Sequence, residues 1–162
     1  MQSWVDMDKS QLLKRLDEGW NALQEASAGL SASEMMEPGV NGAWSVKDII
    51  AHVTSWEGEA LKYLPLILDG KRPPRYSVAY GGIDAFNAKI NEQTRKLSLD
   101  EVLRQRDETH HALIDFIQDA PEEQFTRETP FRHRLRLDTY RHYPEHTATI
   151  LKWRCLNSEA PL

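Results

Sequence analysis

His142 and His146 stand four residues apart. At that spacing two imidazoles share one helix face and can reach a single ion. Zinc, nickel or iron(II) would suit such nitrogen donors. The pair alone is a weak signal, because histidines recur at this spacing by chance. His52 strengthens it. It lies at the flank of a separate apolar stripe, one turn before Trp56. If the two helices are neighbours, His52 faces the pair, and three protein ligands leave coordination positions open for water or substrate. The competing reading is that all three are core side chains. His110 and His111 are adjacent and so point about 100° apart, which keeps them from sharing a site. His133 lies among arginines and reads as solvated.

Arg127, Arg132, Arg134, Arg136 and Arg141 crowd one short stretch. They read either as an ion-paired loop or as a docking surface for an anionic small molecule. Arg136 and Arg141, together with Trp56, are the candidate substrate-binding residues. Arg72 and Arg75 in an earlier loop are alternatives. Glu57 and Glu145 point well away from the histidines nearest to them in sequence and do not form the HExxH arrangement. Both read as solvated helix charges, and no catalytic residue can be assigned. Cys155, after Trp153-Arg154, shows no obvious activating arrangement in the sequence and reads as a small, partly buried side chain.

These residues need helices to hold them. Leu12, Leu13, Leu16, Trp20, Leu23 and Ala26 recur at three- and four-residue steps, which predicts a helix over 8–28. Ser45 is a good N-cap, with Asp48 favouring the helix start, for a second helix whose stripe is Val46, Ile49, Ile50, Val53, Trp56 and Ala60. Pro65 should kink or end it, and Asp69-Gly70 must. Residues 70–82 read as a crossover loop, followed by a short helical segment over 83–96. Ser98 and Glu101 read as a capping box opening another helix, buried through Val102, Leu103, Leu113, Ile114 and Ile117. Residues 121–136 read as loop, briefly extended where Phe131, His133, Leu135 and Leu137 alternate with arginines. A last helix over 138–156 carries Tyr143, His146, Ile150 and Trp153 on one face. Pro144 either kinks it or marks a start at Tyr143. No strand pattern is strong, so the expected class is all-α: a four-helix bundle with a long crossover and an extra short helical segment.

The 162 residues suit one domain over 1–162, long enough to bury a core without a staple. One cysteine excludes an internal disulfide. The chain start lacks a secretory pattern, and no stretch approaches the roughly 20 apolar residues that span a bilayer. The expectation is a cytoplasmic protein with no membrane partner. A net charge of −5 argues against a nucleic-acid partner.

The segment from Trp44 to Val53, with Trp56-Glu57, resembles the second-helix motif of the DinB-like superfamily. The late His142-Tyr143-Pro144-Glu145-His146, with Ile150 and Trp153, is similar to its last-helix motif. Gly81-Gly82-Ile83-Asp84-Ala85-Phe86-Asn87 resembles the loop of the DfsB/ClbS-like branch. The likeness covers roughly residues 8–155. It implies a four-helix bundle, often a homodimer, with a divalent metal (nickel or zinc) on His52, His142 and His146. It also implies activity as a hydrolase or as a transferase using a low-molecular-weight thiol, acting on a small reactive molecule. ClbS-like relatives protect against a genotoxin by opening a cyclopropane ring. The alternative is a non-catalytic bundle that sequesters a reactive small molecule.

Overall fold

The structure, a computed structural model, describes residues 7–158. Among these the regular structure is helical, joined by loops and turns. Among the described residues the only strand-like pairing is an isolated bridge between Asn41 and Trp44. In chain order the helices are α1 (Lys9–Ser27), α2 (Ala32–Met36), α3 (Val46–Leu68), α4 (Tyr76–Ala79), α5 (Ile83–Thr94), α6 (Leu99–Asp119), α7 (Pro130–Asp138) and α8 (Tyr143–Ser158), with a 3₁₀ turn at Glu122–Gln124.

The long helices start where their capping chemistry predicts. Asp8 caps α1 and Ser45 caps α3, each in a reciprocal capping box. Ser98 caps α6, but only half of the expected box forms. Its hydroxyl accepts from the Glu101 backbone, while the Glu101 carboxylate turns outward to Arg104. The α1 stripe buries Leu12, Leu16, Trp20, Leu23 and Ala26. α3 is the central element. It packs against α6 and α7 and more lightly against α2, α5 and α8, while α8 lies mainly along α1. Pro65 does not stop α3, which runs on to Leu68, with Gly70 at φ 74° just beyond. The described part of the chain is thus the expected helical bundle, with its core formed where α1, α3, α6, α7 and α8 converge.

Several local expectations are corrected. Ser31 caps a short α2 that the serine-rich connection concealed. The crossover contains the single-turn α4. Residues 130–138 form a helix, not an extended loop. Thr129 caps it, Pro130 occupies its first turn, and Phe131, Arg132, Leu135 and Asp138 are the buried face. That spacing of one, four and seven is helical, and the alternation of apolar residues with arginines masked it. The last helix begins at Tyr143 and not at Asp138, which is the second of the two starts left open by Pro144. Before it, the Thr139 carbonyl accepts from the backbone N–H of both His142 (2.8 Å) and Tyr143 (2.9 Å), closing a tight turn between α7 and α8. Cys155 is exposed, where partial burial was expected.

Candidate metal centre

α3 supplies His52 and the start of α8 supplies His142 and His146. One ligand atom from each ring lies within 4.8 Å of the others. His142 Nε2 stands 3.1 Å from His52 Nε2 and 2.8 Å from His146 Nε2. The sequence-predicted trio therefore converges. His52 and His146 are buried and His142 is half-buried. Burial, and then the proximity of His146, pushes the His52 ring down to about 3. Burial, then the neighbouring His146 and His52, does the same to His142. Burial also lowers His146. All three rings are consequently neutral donors near pH 7.

This donor set fits a divalent transition ion. The middle ring has one Nε2 and two Nε2 neighbours. A single lone pair cannot accept two in-plane protons, and a single N–H cannot point at two acceptors. A cation among the rings satisfies all three lone pairs at once. The group contains neither thiolate nor carboxylate, and all-imidazole sites suit zinc and nickel. The Nδ1 atoms of His142 and His146 are buried with no hydrogen-bond partner among the described residues. No side chain or backbone group among the described residues therefore supplies the acceptor usually found behind a metal-binding histidine.

The centre opens into a cavity of about 640 Å³. Trp44 packs on His52, with ring centroids 5.0 Å apart. Trp56 lies 6.4 Å from His52 and 6.1 Å from His142, and its indole N–H donates to Asn87 at 3.0 Å. Tyr76 of α4 tilts against Trp56 at 5.3 Å. Arg134 of α7 lines the cavity together with Asp138. Its Nε donates to Asp138 at 2.5 Å and its Nη2 to the Tyr76 hydroxyl at 2.6 Å. Tyr76 in turn donates to Glu59 at 2.9 Å. Burial pushes the Asp138 carboxyl up to about 6 against the pull of Arg134.

Of the expected substrate-binding residues, Trp56 lines the cavity. Arg136 and Arg141 are not among its lining residues. Arg136 pairs with Glu128 at 2.9 Å, and Arg141 is exposed. Of the arginines in this stretch, Arg134 is the one that lines the cavity. The Arg134–Asp138 pair has helical four-residue spacing, so recognising α7 as a helix would have singled it out. Glu57 is fully buried, not solvated. It accepts from the Tyr143 hydroxyl at 2.5 Å and faces His110 Nδ1 at 3.1 Å. His110 also stacks on Trp20 at 3.7 Å. Glu145 is exposed at the cavity rim, as expected of a solvated charge, and His133 is likewise exposed there.

A family model for the DinB superfamily matches residues 15–149, a span that includes all three histidines. The chain belongs to the DinB superfamily. Other structures share the fold of this DinB superfamily member. An uncharacterised protein from Escherichia coli UTI89 superposes with a TM-score of 0.80 at 15% identity, covering 97% of this chain and 98% of that one. DfsB, a sibling lethal factor precursor, gives 0.77 at 20% identity, covering 95% and 99%. The colibactin self-resistance protein ClbS, solved with a dsDNA, gives 0.76 at 15% identity, covering 91% and 95%. At these identities the likeness is one of fold. None of the curated proteins matches the sequence at a significant level.

Proposed function

We propose that this DinB superfamily protein is a metal-dependent enzyme acting on a small reactive molecule, as a hydrolase or a thiol-dependent transferase. The observation that carries the reading is the convergence of three neutral imidazoles at the wall of a cavity. His52, His142 and His146 would hold one zinc or nickel ion. Such an ion supplies Lewis-acid chemistry, polarising an electrophile and making a water or thiol nucleophilic near neutral pH. Trp44, Trp56 and Tyr76 present aromatic faces that suit a flat, largely apolar body and exclude water around it. Arg134, not Arg136 or Arg141, is the cation placed to steady an anionic or acceptor group, since it alone of the three lines the cavity. The molecule is further taken to work in the cytoplasm as a homodimer.

The second reading is a non-catalytic, sequestering bundle. It is supported by the lining itself: Asp138 is engaged by Arg134 and Glu145 is exposed at the rim, so neither carboxylate stands ready beside the histidines as a base. Protein freed of metal and reloaded with zinc or nickel separates the readings. Turnover of an electrophile, with or without an added low-molecular-weight thiol, that disappears in His52→Ala supports the enzyme. Stoichiometric uptake without turnover supports sequestration.

A further inference from the structure

We infer that Tyr143 and Glu57 are positioning residues, a buried bolt that sets α8 in the register at which His142 and His146 meet His52. The inference rests on the metal-site reading above. The three rings stand on two helices, so their convergence depends on how α8 sits against α3. Yet α8 lies mainly along α1 and touches α3 only lightly. Among the described residues the far nitrogens of His142 and His146 have no hydrogen-bond partner, so the placement of the helix that carries them weighs heavily on where the rings lie.

The link between the two helices is polar and directional. The Tyr143 hydroxyl donates to Glu57 Oε1 at 2.5 Å, and both side chains are fully buried. Tyr143 immediately follows His142 and precedes His146 by three residues, while Glu57 follows His52 by five. One hydrogen bond thus ties together the ligand-bearing stretches of both helices. Two further helices hold the carboxylate in place. From α6, His110 Nδ1 lies 3.1 and 3.3 Å from its two oxygens, and the His110 ring is stacked on Trp20 of α1 with an interplanar angle of 3°. The residue before Trp20 is Gly19, where a Cβ would come within 3.1 Å of Tyr143 Cδ2. α1 therefore leaves room for this ring in this position. Sliding α8 would withdraw the phenol and leave a buried acceptor short of a donor, which apolar packing alone would not penalise.

The test compares Tyr143→Phe with wild type and with Ile117→Val, a core change on α6 two helical turns beyond His110. Binding of Co²⁺ is followed by titration and by its visible d–d bands. Contact between the His52 and His142 rings is followed in metal-free protein by NOE. Tyr143→Phe is expected to bind Co²⁺ at least tenfold more weakly, with altered bands and a weakened ring–ring NOE, while far-ultraviolet circular dichroism stays helical. Ile117→Val is expected to keep wild-type Co²⁺ affinity, bands and NOE despite lower stability. Wild-type affinity and NOE in Tyr143→Phe would overturn the inference, as would an equal loss in Ile117→Val. If Tyr143→Phe does not fold, Glu57→Leu carries the same expectations. If wild-type protein takes up no Co²⁺, the metal reading falls, and the NOE comparison alone decides the bolt.

Discussion

The three histidines are chemically unusual because burial has stripped them of charge. An exposed imidazole titrates near 6.5, whereas His52 and His142 are pushed down to about 3 and His146 is lowered as well. In metal-free protein the unfolded chain therefore binds more protons than the folded one below about pH 6.5. Stability rises with pH across that window and falls as the solution is acidified through it, by at most about 1.4 kcal/mol per pH unit for each ring. Urea unfolding of metal-free protein at pH 7, 6 and 5 should show this loss, and a His52→Gln/His142→Gln variant should show a flatter slope. An identical slope in both would mean that these rings are not buried neutral. The histidines themselves were legible in the sequence, because spacing four and a stripe-flank position are properties of residue order. Glu57 was not. Its partners Tyr143 and His110 lie 86 and 53 residues away, and no local pattern marks a carboxylate that only the tertiary fold buries.

Among the elements, periodicity located α1, and an N-cap ahead of an apolar stripe located α3 and α6. They failed at α7, whose buried face includes Arg132 and Asp138, residues that a hydropathy pattern counts as polar. They failed also at α4, which buries no residue and is held by the Tyr76 and Tyr80 hydroxyls on Glu59. The corrected α7 makes a sharp prediction. In an extended segment Leu135 and Leu137 would share a face; in the helix Leu135 is fully buried and Leu137 is 41% exposed. Leu135→Ala should therefore cost about 2–5 kcal/mol in denaturant unfolding, and Leu137→Ala about 0.5 kcal/mol or less. Equal costs would contradict the helix. Gly19 offers a second test on α1. Alanine ordinarily stabilises a helix interior by about 1 kcal/mol over glycine. With Tyr143 Cδ2 at 3.1 Å from the added Cβ, Gly19→Ala should give none of that gain. A full gain would mean that the Tyr143 ring has slack.

For the whole molecule, no helix among the described residues is long and apolar enough to cross a membrane. The fold class was readable because four long amphipathic patterns leave few alternatives to a bundle. Partners are less readable, since neither an assembly surface nor a ligand leaves a periodic trace. ClbS was solved with a dsDNA, so net charge alone does not decide the question of nucleic acid for this fold. For a chain of net charge −5 we expect no retention of duplex DNA at physiological salt, checked by mobility shift across salt concentrations. A salt-sensitive shift would reverse that. The proposed homodimer should give twice the chain mass of 18.7 kDa by light scattering at micromolar concentration, and a monomer mass would count against it. On the proposed reading, His52, His142 and His146 together hold one metal ion. Calorimetric titration of chelator-stripped protein with Zn²⁺ or Ni²⁺ tests it most directly. One ion per chain is expected, with His52→Ala and His146→Ala each losing at least tenfold in affinity while remaining helical; wild-type binding no tighter than that of either variant would rule the site out.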